Sequence, residues 1–215
     1  MLRDPVEIEI ASRARQEGIR NPNRPRKHFD RIFKDFLRDD ALVRDRELLD
    51  LGPGQWDFAE VARERGVRRV VGVDNDEAVL ELGTYKGFDA VDGDLRDVSA
   101  ETLGTFDGVF CKFSIDAFWG VDDAETELQT ARVCGLVREG GWAWIAPWNG
   151  AAQPLDPADA RLAAQQRVFE EHGFRSFALS AELVTRYGLT GVVANHALFV
   201  HNLPIPGTVA ACPAL

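Results

Sequence analysis

The run Glu47-Leu-Leu-Asp-Leu-Gly-Pro-Gly-Gln-Trp56 limits the fold more than any other stretch of the chain. A short apolar segment enters a glycine turn. The residues after it, Phe58, Val61 and Ala62, recur at helical spacing and stop at Gly66. Strand, tight glycine turn and helix in that order bring backbone N–H groups at a helix start close to a ligand. Two nucleotide signatures are excluded at once. The dinucleotide pattern G-x-G-x-x-G needs glycine at position 57, which is Asp57, and G-x-x-x-x-G-K-[ST] does not fit. A nicotinamide-dependent oxidoreductase is therefore a poor reading.

The pattern repeats downstream. Arg69-Val-Val-Gly-Val73 reads as a buried strand ending at Asp74, and Glu77 to Leu82 as a helix. A third strand is expected near Phe88–Val91, a fourth at Phe106–Phe110, a helix over Asp123–Val137, and a fifth strand at Trp142–Ala146 after a Gly140-Gly141 turn. Alternating strands and helices imply a parallel sheet with helices on both faces. The C-terminal part departs from this rhythm. A helix over Pro157–Glu171 precedes a strand from Gly173 to about Leu179, a short helix capped by Ser180, and a last strand region within Val192–Asn202. That leaves too little chain for another crossover helix, so the closing strand should be antiparallel.

Before residue 44 the chain reads as helical. Asn21-Pro-Asn-Arg-Pro25 breaks it, and Phe29, Ile32, Phe33, Phe36 and Leu37 then mark an amphipathic helix. The expected organisation is a helical lid over 1–44, one α/β domain over 45–205 and a tail over 206–215. The chain of 215 residues carries a net charge of −10, yet Arg20, Arg24, Arg26, Lys27, Arg31 and Lys34 cluster against the single carboxylate Asp30. Broad nucleic-acid binding is disfavoured, because it needs an extended basic surface. A local basic patch suits one small anion. Cys111, Cys134 and Cys212 are odd in number and scattered, which argues for a reducing compartment and against a structural zinc. With no apolar run of membrane length and no secretory h-region, the expected location is cytoplasmic.

Asp50 lies inside the first strand, two residues before the first glycine. A carboxylate there conflicts with a pyrophosphate but agrees with a cationic amino-acid moiety. Asp74, twenty residues after Gly54, is placed to accept from ribose hydroxyls, and Asp94 to accept from an adenine amino group. Asp50-Leu-Gly52-Pro-Gly54, Asp74, Asp94 and Gly140-Gly141, in that order, resemble the class I S-adenosylmethionine-dependent methyltransferases over residues 47–146. The resemblance implies a Rossmann-like, mostly parallel seven-stranded sheet of order 3-2-1-4-5-7-6, with strand seven antiparallel. It also implies S-adenosylmethionine as cofactor and S-adenosylhomocysteine as product. Donor contacts are then expected from Asp50, Gly52, Pro53, Gly54 and Trp56, from Asp74 and Asn75, from Asp94 and Leu95, and from Lys112 and Phe113. Trp56 departs from the family, which has a third loop glycine there. Its ring either packs against the first helix or faces the sulfonium.

The acceptor should lie above the C-terminal strand ends. Phe118, Trp119 and Trp148 in the loops after strands four and five are candidates for an aromatic wall, and Arg24 and Arg26 for anion binding. The candidate proton acceptors are His28, Asp116 and His196. No His/Asp cluster suggests a metal, and the Asn-Pro-Pro-Tyr type of motif for base N-methylation is missing after strand four. The expected activity is methyl transfer to a small molecule, at oxygen of an anionic sugar or natural-product intermediate. A protein or tRNA acceptor, or a non-catalytic cofactor-binding scaffold, are the alternatives.

Overall fold

The computed structural model describes residues 4–17, 26–38, 40–115, 122–146, 160–189, 197–205 and 210–211. The central strands are β1 (Glu47–Leu51), β2 (Arg69–Asp74), β3 (Asp89–Asp92), β4 (Phe106–Lys112) and β5 (Val137–Ala146). They pair in parallel, β3-β2-β1-β4-β5. In β1, Leu48, Leu49 and Leu51 are all fully buried, as a strand covered on both faces requires. The edge is completed by β6 (Arg175–Ala178), β7 (Ala197–His201) and β8 (Ala210–Ala211), giving the order 3-2-1-4-5-7-6-8. Strand β7 is antiparallel to both β5 and β6. The 3-2-1-4-5-7-6 sheet is as the sequence predicts, and β8 adds a two-residue strand from the expected tail, paired with Phe177 and Ala178.

The helices are α1 (Pro5–Glu17), α2 (Lys27–Phe36), α3 (Asp57–Glu64), α4 (Glu77–Tyr85), α5 (Ala100–Leu103), α6 (Asp123–Gly135), α7 (Ala160–Glu171) and α8 (Ala181–Arg186). Ser180 caps α8 by accepting from Leu183 N, as its position suggests. One expectation fails. Gly140-Gly141 is no turn ahead of the fifth strand but lies inside β5, where the register slips between the Phe106–Val137 and Gly108–Trp142 pairs. Beside the irregularity, Asn202 Nδ2 donates to the Gly141 carbonyl at 2.8 Å.

Helix α2 is built into the core. Phe29, Ile32, Phe33 and Phe36 are buried, and they meet an aromatic ladder in which Phe58 stacks on Phe110 at 4.0 Å and Phe110 on Trp144 at 5.0 Å. The other end of α2 is clamped to α8. Arg186 donates to both Asp35 oxygens at 2.5 and 2.6 Å, Tyr187 Oη donates to Asp35 at 3.0 Å, and Arg31 donates to the Arg186 carbonyl at 3.2 Å. Helix α1 rests on α4 through Arg13–Glu81 at 2.7 Å and through Ala14 against Ala78 and Val79. Among the described residues no helix is long and apolar enough to cross a membrane.

Candidate active site

The loops after β1, β3 and β4 converge on Gly52. Its φ is +73°, and a Cβ there would stand 1.9 Å from Ser114 Oγ and 3.8 Å from a Leu95 methyl. Only glycine satisfies both the left-handed backbone and the contact. Gly54 also has positive φ, and the turn closes as Trp56 N donates to the Pro53 carbonyl at 2.9 Å before α3 begins. The turn thus leaves backbone, rather than side chain, beside the crevice. Asp50 is 2% exposed, on the β1 face it shares with its register partners Gly72 and Phe110.

Asp74 ends β2 and accepts from Asp76 N at 3.1 Å. Capping of α4 falls to Asp76, which accepts from Ala78 N and Val79 N. Asn75 beside it is exposed. Asp94 makes a local turn with Arg96, whose backbone N donates at 2.9 Å and whose Nε lies 3.0 Å from each carboxylate oxygen. The Arg96 side chain holds the Asp94 carboxyl below the usual carboxylate range. An adenine amino group would share that carboxylate with Arg96.

Trp56 resolves the sequence alternatives by where its ring goes. The side chain is wholly buried, its Nε1 donates to the Val79 carbonyl at 2.9 Å, and it stacks on Phe88 at 5.3 Å. The left-handed backbone of Trp56, φ 62°, sends the ring between β2 and α4, over Gly72 and Gly83. The sulfonium-facing role is closed to this ring.

A buried cation that the sequence reading missed pins the same loop. Lys86, whose side chain is 8% exposed, donates to the Gln55 carbonyl at 3.0 Å and pairs with Glu60 of α3 at 3.1 Å and Glu7 of α1 at 3.4 Å. Nothing in the local Lys86-Gly87 sequence marks it, because its partners come from three distant elements.

Lys112, expected with Phe113 at the donor, ends β4 at 2% exposure, with Nζ 4.8 Å from the Phe29 ring centre and 5.7 Å from that of Phe113. His28 of α2 packs on Gly188, just after α8. Burial, followed by the charges of Lys112, Arg31 and Lys27, pulls its pKa down to about 4. His28 is thus neutral at physiological pH. Arg26 is engaged by Glu64 of α3, away from the role expected for it in anion binding. Arg24, Asp116, Phe118, Trp119, Trp148 and His196 lie outside the described residues. Among the described residues no group of three His, Cys, Asp or Glu could hold a metal ion.

Residues 49–145 match the Methyltransferase domain family model. No curated protein matches the chain in sequence. Among solved structures, magnesium protoporphyrin IX methyltransferase from Synechocystis with bound S-adenosylmethionine is 13% identical, covers 97% of this chain and 93% of its own, and superposes with TM-score 0.57. An amino pentose methyltransferase from Micromonospora echinaspora, involved in calicheamicin biosynthesis, is 20% identical over 93% of this chain and 97% of its own, with TM-score 0.56. A sugar N-methyltransferase from Streptoalloteichus is 16% identical over 93% of each chain, with TM-score 0.55. At these identities the structures speak for the fold alone. With the 3-2-1-4-5-7-6 sheet order and the acid-x-Gly-x-Gly turn at its first strand, the chain carries a methyltransferase domain over residues 49–145 in the class I S-adenosylmethionine-dependent fold.

Proposed function

We propose that this enzyme methylates an anionic small molecule, most simply at oxygen. The observation that supports the reading is the run of cations on α2, where Lys27 and Arg31 flank His28 and help to hold it neutral. The residues proposed for the donor are Asp50 and the Gly52–Gly54 turn for the amino-acid end, Asp74 with Asn75 for the ribose, and Asp94 with Leu95 for the adenine. The chain segment before residue 44 is proposed as the cover of the acceptor side.

S-adenosylmethionine supplies an already activated methyl group, so the protein has little covalent work to do. It aligns the acceptor in line with the breaking carbon–sulfur bond, excludes water and sets the charge state of the attacking atom. An ionised oxygen forms its bond to the methyl carbon while the electron pair of the carbon–sulfur bond passes to sulfur. Such an oxygen has no proton to lose, so a strong base is unnecessary.

A second reading has one specific support. Two of the structural neighbours are described as amino pentose and sugar N-methyltransferases, which favours a sugar amine as acceptor. The test is an acceptor panel of sugar acids and sugar phosphates, neutral sugars and aminosugars, with S-adenosylhomocysteine release as the readout. Turnover confined to acids or phosphates is the expected result. Turnover of aminosugars alone would replace the proposal with the second reading.

A further inference from the structure

Resting on the reading of the Gly52–Gly54 turn as part of the donor site, we propose that Lys86 is a positioning residue that couples the docking of α1 to that turn, so that cofactor binding and α1 docking favour each other. It acts through Gln55, the residue between Gly54 and Trp56.

A lysine ammonium has three N–H donors and no acceptor, and here its three partners come from three elements. Nζ lies 3.0 Å from the Gln55 carbonyl of the turn, 3.1 Å from Glu60 of α3 and 3.4 Å from Glu7 of α1. The side chains of Glu7 and Glu60 are themselves mostly covered, so solvent screens these pairs only weakly. The root of the lysine is fixed as well. Its backbone N–H closes α4 by donating to the Leu82 carbonyl at 3.0 Å, and Arg63 of α3 donates to its carbonyl at 2.8 Å. Held at both ends, Lys86 ties the turn to α3 and α1 at one point.

The turn needs such a hold. Gly54 and Trp56, on either side of Gln55, have φ of 56° and 62°, and the left-handed backbone is uphill for tryptophan. A charged donor on the carbonyl between them favours this turn over relaxed alternatives. Gln55 is bonded a second time, its Nε2 donating to the Ala11 carbonyl of α1 at 3.4 Å. Two links therefore run from α1 to one residue of the turn, Glu7 through Lys86 and Ala11 directly. Residues 7 and 11 are one helical turn apart and share a face, which Ala14 continues against Ala78 and Val79 of α4. The other ties of α1 bypass the turn: Arg13 pairs with Glu81 at 2.7 Å, and Tyr85 Oη donates to Asp4 at 2.7 Å. If docked α1 holds the turn ready for the cofactor, linkage requires the bound cofactor to hold α1 docked in return.

The experiment uses the full chain, with S-adenosylhomocysteine affinity read by calorimetry and α1 docking read by hydrogen exchange of α1 amides with and without saturating ligand. In wild type, saturation should slow α1 exchange by about tenfold. Lys86→Met keeps the aliphatic stem and removes the ammonium. It should bind S-adenosylhomocysteine about tenfold more weakly, within the usual range of coupling between two sites, and lose most of the ligand-dependent slowing. Glu7→Ala cuts only the α1 arm. It should lose the slowing with about a threefold drop in affinity, and it carries the test alone should Lys86→Met fail to fold. Arg13→Ala removes an exposed tie outside the turn and should keep both the slowing and an affinity within about twofold of wild type. Unchanged α1 exchange on saturating wild type, or wild-type affinity and slowing in Lys86→Met or Glu7→Ala, would overturn the coupling. Equal losses in Arg13→Ala would overturn it too, since α1 would then act without the turn. The donor-site reading fails on different data, namely Gly52→Ala binding S-adenosylhomocysteine as wild type does; a weakened Gly52→Ala beside an unaffected Lys86→Met removes the coupling alone.

Discussion

The two sides of the crevice are made by different means. The side proposed for the donor is set by local backbone, the turns that follow β1, β2 and β3 and carry three acids, all between Glu47 and Leu95. The side proposed for the acceptor is gathered from remote elements, with His28 of α2 packed on Gly188, two residues after the end of α8. A backbone-made site depends on conformations that few residues can adopt. A side-chain-made site depends on clamps that hold remote elements in register. Substitutions should therefore separate the two sides cleanly.

Gly52→Ala is the strongest test of the donor side. The new Cβ meets Ser114 Oγ at 1.9 Å in a backbone region that costs an L-residue roughly 1–2 kcal/mol. Strain and overlap together should weaken S-adenosylhomocysteine binding about a hundredfold, measured by calorimetry. Ser114→Gly in the same chain should recover part of the loss, and normal binding by Gly52→Ala alone would break the claim that this turn forms the site. Asp74→Ala comes next. Loss of hydrogen bonds to the ribose should cost about 1–3 kcal/mol, roughly 5- to 150-fold in affinity. Asp76→Ala is its control. It removes the α4 cap and should lower stability by about 1 kcal/mol with cofactor affinity kept. Equal effects of the two on affinity would remove the distinction between Asp74 and Asp76.

The same contrast explains what could be read in advance. The sheet order and β1 through β4 were legible because glycines and buried apolar runs report local backbone demands. Strand β8 was missed because two alanines, Ala210 and Ala211, carry no periodic signal. Gly140-Gly141 was misplaced because a glycine pair marks a turn and a bulge alike, and only pairing with β4 decides between them. On the acceptor side, His28 could be named but its role could not. Its surroundings come from Gly188, 160 residues away, pressing on one edge of the ring. Lys86 and the Asp35–Arg186–Tyr187 clamp left no trace for the same reason.

Asp35→Asn tests the clamp. It removes a two-point charged contact and should lower stability by about 1.5–3 kcal/mol, since hydrogen bonds to charged groups are worth that much. Cofactor affinity should not change. Burial works to raise the Asp35 pKa, but the hydrogen bonds from Arg186 and Tyr187 outweigh it, and the net shift is down from 3.8. A depressed carboxylate stabilises the fold fully above its unfolded value and loses that contribution as pH falls through its folded value. The difference in Tm between wild type and Asp35→Asn should be constant above about pH 5 and close below about pH 4. A difference that grows on acidification would refute the ionised clamp.

The smallest effect on the cofactor is expected from the residue that looks most conspicuous in the loop. Trp56 stands where the family has glycine, yet its ring is packed between β2 and α4 and bonded to the Val79 carbonyl. Trp56→Phe removes that N–H bond and part of the ring volume while keeping an aromatic face toward Phe88. Stability should fall by about 1–3 kcal/mol, from one lost hydrogen bond and a small cavity. Affinity for S-adenosylhomocysteine should stay within about twofold, because the turn is set by Gly52, Gly54 and the left-handed backbone at position 56 rather than by the indole. Trp56→Gly sharpens the point. It keeps the positive φ but empties the space under Gly72 and Gly83, so it should cost more stability than Trp56→Phe while still forming the turn. Melting and calorimetry on the two variants separate ring from backbone. A large affinity loss in Trp56→Phe without a matching loss of stability would put the indole back at the donor and erase the division between a backbone-made and a side-chain-made half.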